Sequence, residues 1–312
     1  MTPTPIILDC DPGHDDALAI ILAAYNPAID LRGITTVSGN GAIEKVTQNA
    51  LRVCALAKIN VPIAQGSGVS LMGFVEAATD IHGASALDGA PLPEPTFALC
   101  KESGVELIAR LVAESSEQIT LVATGPLTNI ALFLKLYPQL IPKIAQIVFM
   151  GGSAGRGNRS PYAEFNIWMD PEAAEVVLHS GLPLTMCGLD VTHEALVTKE
   201  VFAAIQRMDT HLSSTVVGLL KFFAATYNEV FEMPDPPLHD PVAIAYLIDP
   251  TAVSTKFVNV EVELDGIHTR GATVVDLSNR THRTPNATVA LGLDAPKFWD
   301  LMLNAIEKAG LA

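Results

Sequence analysis

The chain has 312 residues, of which 49% are hydrophobic and 17% are charged, so it can bury a substantial core and is not a disordered or fibrous protein. Its 34 acidic and 19 basic residues give a formal net charge of -15. This charge excludes the basic surface that a protein binding nucleic acid or anionic lipid needs.

Over the first two thirds of the chain, short apolar runs alternate with longer patterned ones. This rhythm predicts an α/β fold, in which a mostly parallel, open, Rossmann-like sheet carries helices on both faces. The predicted strands are residues 5–8, 31–37, 119–123, 144–150 and 184–188. The predicted helices are residues 15–25, 43–56, 105–114, 127–135 and 171–179.

The last third reads differently. Residues 199–248 are mainly helical in pattern, and two or three strand-like runs from residue 256 onward precede a final helix near residues 296–308. Loops are predicted at residues 91–95 and 228–237, and the second is a candidate substrate lid in a helical region. Because no linker or repeat divides the chain, we expect a single domain over residues 1–312.

Four carboxylates crowd into eight residues directly after the first strand: Asp9, Asp11, Asp15 and Asp16. Like charges this close are unfavourable unless a positive group lies among them, and a hard divalent cation accepts several oxygen ligands. The Pro-Gly turn between them is expected to fold Asp11 back toward Asp16, while Asp15 and Asp16 diverge by about 100° around a helix. One of these two acids is therefore expected to face a metal and the other a substrate. The alternative is a helix start decorated with acids that favour its dipole, which explains only one or two of them.

Two later segments add candidates for the same site. Thr124 follows the predicted strand 119–123 and precedes Gly-Pro, so its carbonyl oxygen is expected to face the carboxyl edge of the sheet and is a candidate metal ligand. The alternative is an ordinary turn between a strand and a helix. Asp240 precedes a proline and is either a helix cap or a functional acid. The adjacent His239 favours the second possibility, because histidine can supply a proton near neutral pH.

Polar residues also follow the strand that ends at Met150. The glycines there are not a dinucleotide fingerprint, since no helix opens directly behind them. Asn158, Glu164 and Asn166 instead offer donors and acceptors suited to a polyhydroxylated ligand, and Asp170 is expected to cap a helix.

Taken together, these segments resemble the inosine-uridine-preferring nucleoside hydrolase family over nearly the whole chain, and within it the bacterial pyrimidine-type or mixed-specificity enzymes. The resemblance rests on the acidic cluster, the Gly-Asn after the second strand, the Thr-Gly-Pro turn, the Glu-Phe-Asn triplet and the His-Asp pair, in that order. It implies Ca²⁺-dependent hydrolysis of ribonucleosides to ribose and free base. The implied calcium ligands are Asp11, Asp16, the main-chain oxygen of Thr124, and Asp240. The implied substrate contacts are Asp15, Asn40, Met150, Asn158, Glu164, Phe165, Asn166, Tyr227 and Phe231.

The resemblance also implies how the residues divide the chemistry. Asp11 would deprotonate the attacking water, and His82 or His239 would protonate the leaving base. Two positions depart from the family pattern: Ala86 stands where similar pyrimidine-preferring enzymes carry glycine, and Phe231 stands where a tyrosine often faces the base. Because phenylalanine cannot donate a proton, the choice between pyrimidine and purine bases stays open.

Two rival functions remain to be weighed. An aspartate-nucleophile phosphatase would need cationic groups for the phosphate, and the acidic cluster contains no Lys or Arg. A nucleoside-binding protein without turnover would dispense with a water-activating acid.

Four widely spaced cysteines, with no basic and apolar leader and no apolar run near 20 residues, predict a cytoplasmic protein. The resemblance implies a homodimer or homotetramer.

Overall fold

The computed structural model describes residues 2–312 as a central sheet with helices on both faces. The strands are β1 (Thr4–Cys10), β2 (Ile29–Thr36), β3 (Ile63–Gln65), β4 (Ile119–Ala123), β5 (Ile144–Met150), β6 (Leu184–Cys187), β7 (Val253–Val258), β8 (Val260–Val262), β9 (Thr273–Val275) and β10 (Ala287–Leu293). The helices are α1 (His14–Tyr25), α2 (Ile43–Leu56), α3 (Thr79–His82), α4 (Gly104–Glu114), α5 (Thr128–Leu136), α6 (Phe165–Met169), α7 (Pro171–Leu178), α8 (Leu189–Thr192), α9 (Lys199–Gln206), α10 (His211–Phe231), α11 (Pro241–Ile248) and α12 (Ala295–Leu311).

The eight strands of the main sheet lie in the order β3-β2-β1-β4-β5-β6-β10-β7. All neighbours pair in parallel except β7, which runs antiparallel to β10. The short strands β8 and β9 form a separate antiparallel ribbon. The predicted α/β class and mostly parallel sheet are thus confirmed.

All five predicted strands and all five predicted helices of the first two thirds form, with ends that differ by a few residues. Strand β3 and the β8–β9 ribbon were not predicted individually. The predicted loop at residues 228–237 is partly wrong, because α10 continues to Phe231 and ends only where Glu232 adopts a left-handed φ of 57°. The proline-rich part of that segment begins after this point.

The core lies in two layers, one on each face of the sheet. Along β1 the side chains of Ile6, Leu8 and Cys10 pack against α1, α2, α10, α11 and α12, whereas Ile7 packs with α4, α5 and α7 on the other face. This period of two explains why a strand buried on both faces reads as a continuous apolar run.

The order of the strands also sets the position of the site. From β1 the chain builds β2 and β3 on one side and β4, β5 and β6 on the other, so the carboxyl ends of β1 and β4 flank the point where the order reverses. Open α/β sheets bind ligands in the crevice at such a point. Asp11 follows β1 and Thr124 follows β4.

Within residues 2–312, no helix has the length and apolarity that a bilayer crossing requires.

Candidate active site

The acidic turn after β1 closes on itself, as its sequence predicted. The backbone N–H of Asp11 donates to Oδ1 of Asp16 at 3.2 Å, and that of Gly13 donates to Oδ2 of Asp16 at 3.0 Å. One oxygen each from Asp15, Asp16 and Asp240 lie within 4.8 Å of one another, and all three residues are buried. Residues from opposite ends of the chain therefore form one cluster of negative charge.

Two sequence expectations about this cluster are settled by its geometry. Asp240 makes no side-chain cap bond to α11, so it belongs with the other acids and is not a simple helix cap. Asp15 lines the cavity whereas Asp16 is buried and does not, although one oxygen of each lies within 4.8 Å of an oxygen of Asp240.

Asp11 lies beside the cluster with one oxygen unsatisfied. Its Oδ2 accepts a hydrogen bond from the backbone N–H of Asn40 at 2.7 Å, whereas its Oδ1 is buried and has no partner within residues 2–312. Burial raises the pKa of Asp11 well above its usual range, and the neighbouring carboxylates add to the shift. Burial raises the pKa of Asp240 in the same way. Gly39 and Gly125 flank the Asp11 carboxylate so closely that a methyl group on either glycine would overlap it.

The carbonyl of Thr124 completes a set of oxygen atoms at the switch point. It accepts a hydrogen bond from Nδ2 of Asn166 at 2.8 Å, and the Thr124 hydroxyl donates to Oδ1 of Asp16 at 2.8 Å. A carbonyl has two lone pairs, so one remains for another partner. A buried carboxylate oxygen without a partner, three more carboxylates and a carbonyl are the donor set that a hard divalent cation prefers. These residues therefore fit a metal ion.

Glu164 and its neighbours shape the sugar side of the cavity. The Glu164 carboxylate caps α6, accepting from the backbone N–H groups of Asn166 at 3.0 Å and Ile167 at 3.2 Å, and also from that of Gly152 at 2.9 Å. Burial raises the pKa of Glu164 to about 7, although these N–H groups oppose the shift. Nδ2 of Asn166 also donates to the carbonyl of Met150 at 3.1 Å. The predicted ribose contacts thus hold each other in place.

Helix α10 supplies the other side of the cavity. Phe223, Tyr227 and Phe231 lie at intervals of four residues along it and all face the cavity. The Tyr227 hydroxyl lies 2.6 Å from Nε2 of His239, whose Nδ1 lies 2.7 Å from the hydroxyl of Thr192. Burial raises the pKa of Tyr227 and lowers the pKa of His239. Both side chains are therefore neutral near pH 7.

One cavity collects nearly all the residues that the sequence singled out. It is lined by Asp15, Asn40, His82, Thr124, Met150, Asn158, Glu164, Phe165, Asn166, Tyr227, Phe231, His239 and Asp240. The two remaining predicted ligands, Asp11 and Asp16, are buried and do not line it. Their exact roles stay predictions, but their neighbourhood is that of a single site.

Some residues of the site were missed or misplaced by the sequence reasoning. Phe223 could have been found from its spacing of four residues from Tyr227, whereas the ion pair between Glu76 and Arg159 on the cavity wall left no sequence signal. Asp9 was counted with the acidic cluster, but the alternation of β1 turns it to the face of α5. There it accepts hydrogen bonds from the Thr35 hydroxyl at 2.5 Å and from Nδ2 of Asn129 at 2.7 Å.

Comparison with known proteins identifies the family of this chain. The family model described as inosine-uridine preferring nucleoside hydrolase matches residues 6–300. The chain is 46% identical over 305 residues to the pyrimidine-specific ribonucleoside hydrolase RihA of Escherichia coli O81 (strain ED1a), covering 97% of this chain and 98% of that one.

Two solved structures share the fold over almost the full length. The purine-preferring ribonucleoside hydrolase from Gardnerella vaginalis is 33% identical, with a TM-score of 0.92 over 99% of this chain and 100% of that one. A plant nucleoside hydrolase is 30% identical, with a TM-score of 0.90 over 97% and 99%. The resemblance read from the motifs is confirmed, and the chain belongs to the inosine-uridine preferring nucleoside hydrolase family, glycosidases that act on N-glycosidic bonds.

Proposed function

We propose that this protein is a calcium-dependent hydrolase of pyrimidine ribonucleosides, uridine and cytidine before inosine, which serves nucleoside salvage. The observation that carries the proposal is the single cavity in which the acid cluster, the sugar-side amides and the pair of Tyr227 and His239 meet. The pyrimidine preference is supported by the relative named as pyrimidine-specific, which is 46% identical, against 33% for the purine-preferring one.

We assign the calcium ion to Asp11, Asp16, the carbonyl of Thr124, and Asp240. All the donors are oxygen atoms, which suits Ca²⁺ better than the softer transition metals. The orphaned Oδ1 of Asp11 supports the assignment, because a buried charged oxygen without a partner is costly unless something positive approaches it. When bound, the ion supplies a water molecule of lowered pKa and fixes the sugar hydroxyls.

The chain's own acids carry the attack on the sugar. Asp11 accepts the proton of the attacking water at its carboxylate, and the water oxygen bonds to the anomeric carbon as the bond to the base breaks. Positive charge develops on the sugar in this transition state, which the neighbouring carboxylate of Asp15 stabilises. The sugar itself is held by Asn40, Asn158 and Asn166, together with Met150, Glu164 and Phe165.

Protonation of the leaving base is assigned to Tyr227 and His239 acting together. Both ring nitrogens of His239 are engaged, one by Thr192 and one by Tyr227, so His239 has no free N–H to offer the base. The Tyr227 hydroxyl is therefore the group of the pair that donates a proton to the base, and His239 holds this hydroxyl in place through its Nε2. Phe231 packs against Tyr227 with ring centroids 4.9 Å apart and adds an apolar wall for the base.

The first test measures reducing sugar released from uridine, cytidine and inosine, with EDTA and with Ca²⁺ restored. We expect Asp11→Asn to lose on the order of 10³-fold in kcat, the usual contribution of a positioned base. Asp9→Asn is the matched control: it removes a buried carboxylate two residues away that faces α5, and activity should stay within about tenfold. Full activity of Asp11→Asn with Ca²⁺ present would refute the assigned base.

A second test separates leaving-group assistance from structural support. Tyr227→Phe and His239→Ala should each lose more activity on uridine than on a nitrophenyl riboside, whose leaving group departs without a proton. Because the two residues act as one unit, the double variant should lose about as much as either single one. Equal losses on both substrates would remove the pair from this role.

We further propose a single hydrolase domain over residues 1–312 that acts in the cytoplasm as a homodimer or homotetramer. The sheet draws strands from Thr4 to Leu293, and the four cysteines are free thiols, which suits a reducing compartment. Light scattering after gel filtration tests the assembly, and limited proteolysis tests the domain count.

A further inference from the structure

One ion pair on the cavity wall has no part in the proposed mechanism. Arg159 and Glu76 form this pair, and both residues line the cavity. Within residues 2–312, Arg159 is the only Lys or Arg among the lining residues. The acids that line the cavity are Asp15, Glu76, Asp80, Glu164 and Asp240. The cavity therefore offers one guanidinium to a ligand, and a carboxylate already occupies it.

The guanidinium of Arg159 is held in place from a second side. Its central carbon lies 4.7 Å from the centre of the Trp168 ring, over the face of the indole. This contact orients the cation and its planar set of N–H donors. The side chains of Arg159 and Glu76 are 37% and 33% exposed, so the pair is less solvated than the surface ion pairs that contribute little. The guanidinium is therefore fixed and paired before any ligand binds.

Glu76 is kept near the guanidinium by the backbone of its own segment. The backbone N–H of Leu71 donates to Oδ2 of the buried Asp170 at 2.8 Å. Phe74 packs edge-on against the same Trp168 ring, with ring centroids 5.1 Å apart. Because this segment is attached at two points, a ligand that reaches the guanidinium also meets the negative charge of Glu76.

The pair lies at the sugar end of the cavity. The backbone N–H of Arg159 donates to the carbonyl of Ala163 at 3.1 Å, and Oδ1 of the adjacent Asn158 accepts from the backbone N–H of Phe165 at 2.9 Å. These two bonds attach Arg159 to the segment that carries the proposed ribose contacts. The base is assigned instead to helix α10.

The substituent of the ribose that faces this wall follows by elimination. In the proposed function, the acid cluster receives C1′ and the neighbouring ring hydroxyls, and α10 receives the base. C5′ is the substituent left over, and the wall formed by Arg159 and Glu76 is the part of the sugar end left to receive it. A 5′-hydroxyl is neutral and suits either side chain, whereas a 5′-phosphate carries a charge of about −1.5 to −2 at pH 7.

We propose that Glu76 is a specificity-determining residue, which pairs with Arg159 to keep this guanidinium from a phosphate and so restricts the enzyme to nucleosides over nucleoside 5′-phosphates. The inference rests on the proposed function, because it needs a ribose bound with C1′ at the acid cluster. An unpaired guanidinium binds phosphate through two parallel N–H bonds. Removing the charge of Glu76 should therefore admit the phosphate.

The first test compares uridine with uridine 5′-phosphate, which hydrolysis would convert to uracil and ribose 5-phosphate. In the wild type, we expect kcat/KM to be at least about 100-fold lower for the phosphate, because it meets a like charge. In Glu76→Gln, the ratio of kcat/KM for the phosphate to that for uridine should rise by about 10- to 100-fold, the value of a charge-assisted hydrogen bond. Equal hydrolysis of both substrates by the wild type, or an unchanged ratio in Glu76→Gln, would overturn the proposal.

Two further proteins show whether the gain depends on Arg159. The double variant Glu76→Gln/Arg159→Gln has no guanidinium to release, so it should lose most of the gain. Asp80→Asn is the matched control, because it removes another carboxylate of the cavity wall and leaves the ion pair intact. Its ratio should stay within about threefold of the wild type. A gain as large as that of Glu76→Gln in either protein would overturn the proposal, since loss of negative charge alone would then explain it.

A binding measurement distinguishes failure of this inference from failure of the proposed function. Ribose and ribose 5-phosphate are titrated calorimetrically into the wild type and Glu76→Gln in the same Ca²⁺ buffer, which requires no turnover. We expect the affinity for ribose 5-phosphate relative to ribose to rise by about 10- to 100-fold in the variant. An unchanged relative affinity would overturn the proposal, even if the wild type hydrolyses uridine. Circular dichroism verifies folding, and Glu76→Ala replaces Glu76→Gln in every measurement if the latter fails to fold.

Discussion

Removing one acid from the cluster should stabilise the metal-free protein and destroy its response to calcium. Asp240 lies just before a proline at the start of α11, but its side chain makes no cap bond there. Instead it lies with Asp15 and Asp16 among carboxylate oxygens no more than 4.8 Å apart. We therefore expect Asp240→Asn to relieve repulsion without loosening the helix, and its amide can donate hydrogen bonds to the two remaining acids.

The size of the effect follows from that separation. Two like charges 4.8 Å apart repel by about 3.5 kcal/mol at an effective dielectric of 20 and by about 0.9 kcal/mol in bulk water. Burial raises the pKa of Asp240, so part of this repulsion is already relieved by proton uptake. We expect a gain of about 1–3 kcal/mol in the free energy of unfolding, or roughly 1.5–5 °C in Tm for a chain of this length.

Calcium should reverse the order of the two proteins. A ligand at 1,000 times its Kd stabilises the wild type by about 4.1 kcal/mol, whereas the variant has lost a proposed ligand and should gain almost nothing. Thermal and urea unfolding with EDTA and with Ca²⁺ measure both arms. The matched control is Asp249→Asn. Asp249 also precedes a proline at a helix start, but its side chain does cap that helix, accepting a hydrogen bond from the backbone N–H of Thr251. If Asp240→Asn were less stable than the wild type in EDTA, the repulsion argument would be wrong.

Three further outcomes can be checked on the same preparations. Glu164→Ala leaves three buried N–H groups unpaired, so we expect a loss of about 3–6 kcal/mol in urea unfolding; a loss below 1 kcal/mol would contradict the cap. Burial raises the pKa of Asp9 and Asp15 to about 7, above their usual 3.8, so these two acids should lower metal-free stability as pH rises from about 4 to 7, whereas the buried histidines, with lowered pKa values, act in the opposite direction. The Tm of Asp9→Asn relative to the wild type should therefore rise over this pH range in EDTA; a difference in Tm that does not change with pH would count against the raised pKa of Asp9. Ala86→Gly relieves the strain of a φ of 65° but loses packing of the methyl group, and the two effects are of similar size. We therefore expect the free energy of unfolding to change by less than about 0.5 kcal/mol and the kinetics with uridine to stay unchanged. A larger change in stability would contradict this balance, and a change in KM would show that the position matters for substrate.

Most of the fold was readable because the sheet is buried on both faces. Strands such as β4 and β5 are continuous apolar runs, and helices such as α4 carry both a periodic apolar face and a capping box. Strand β3 escaped notice because three residues are too few to show a period. The prediction ended α10 too early because the last turn of the helix is stabilised by packing of Phe231 against Tyr227. The polar residues around Phe231 give no sign of this contact.

The acid cluster could be predicted from the residues themselves because its chemistry is contiguous. Asp11, Asp15 and Asp16 stand in one short segment, so their mutual repulsion is visible from spacing alone. The contacts of Asn166 with Thr124 and of His239 with Thr192 instead join segments that lie 42 and 47 residues apart in the chain. No local pattern encodes such contacts, and they emerge only when the sheet brings the segments together.

The two glycines that press on Asp11 set a limit on laboratory evolution of this enzyme. Any side chain at Gly39 or Gly125 would displace the carboxylate, so both positions are best kept fixed in a mutant library. Phe231 is only partly buried at the end of α10, and the adjacent Val230 is exposed, so these positions can be varied at lower cost to folding. New base preferences are therefore best sought along that helix, with the floor of the cavity left untouched.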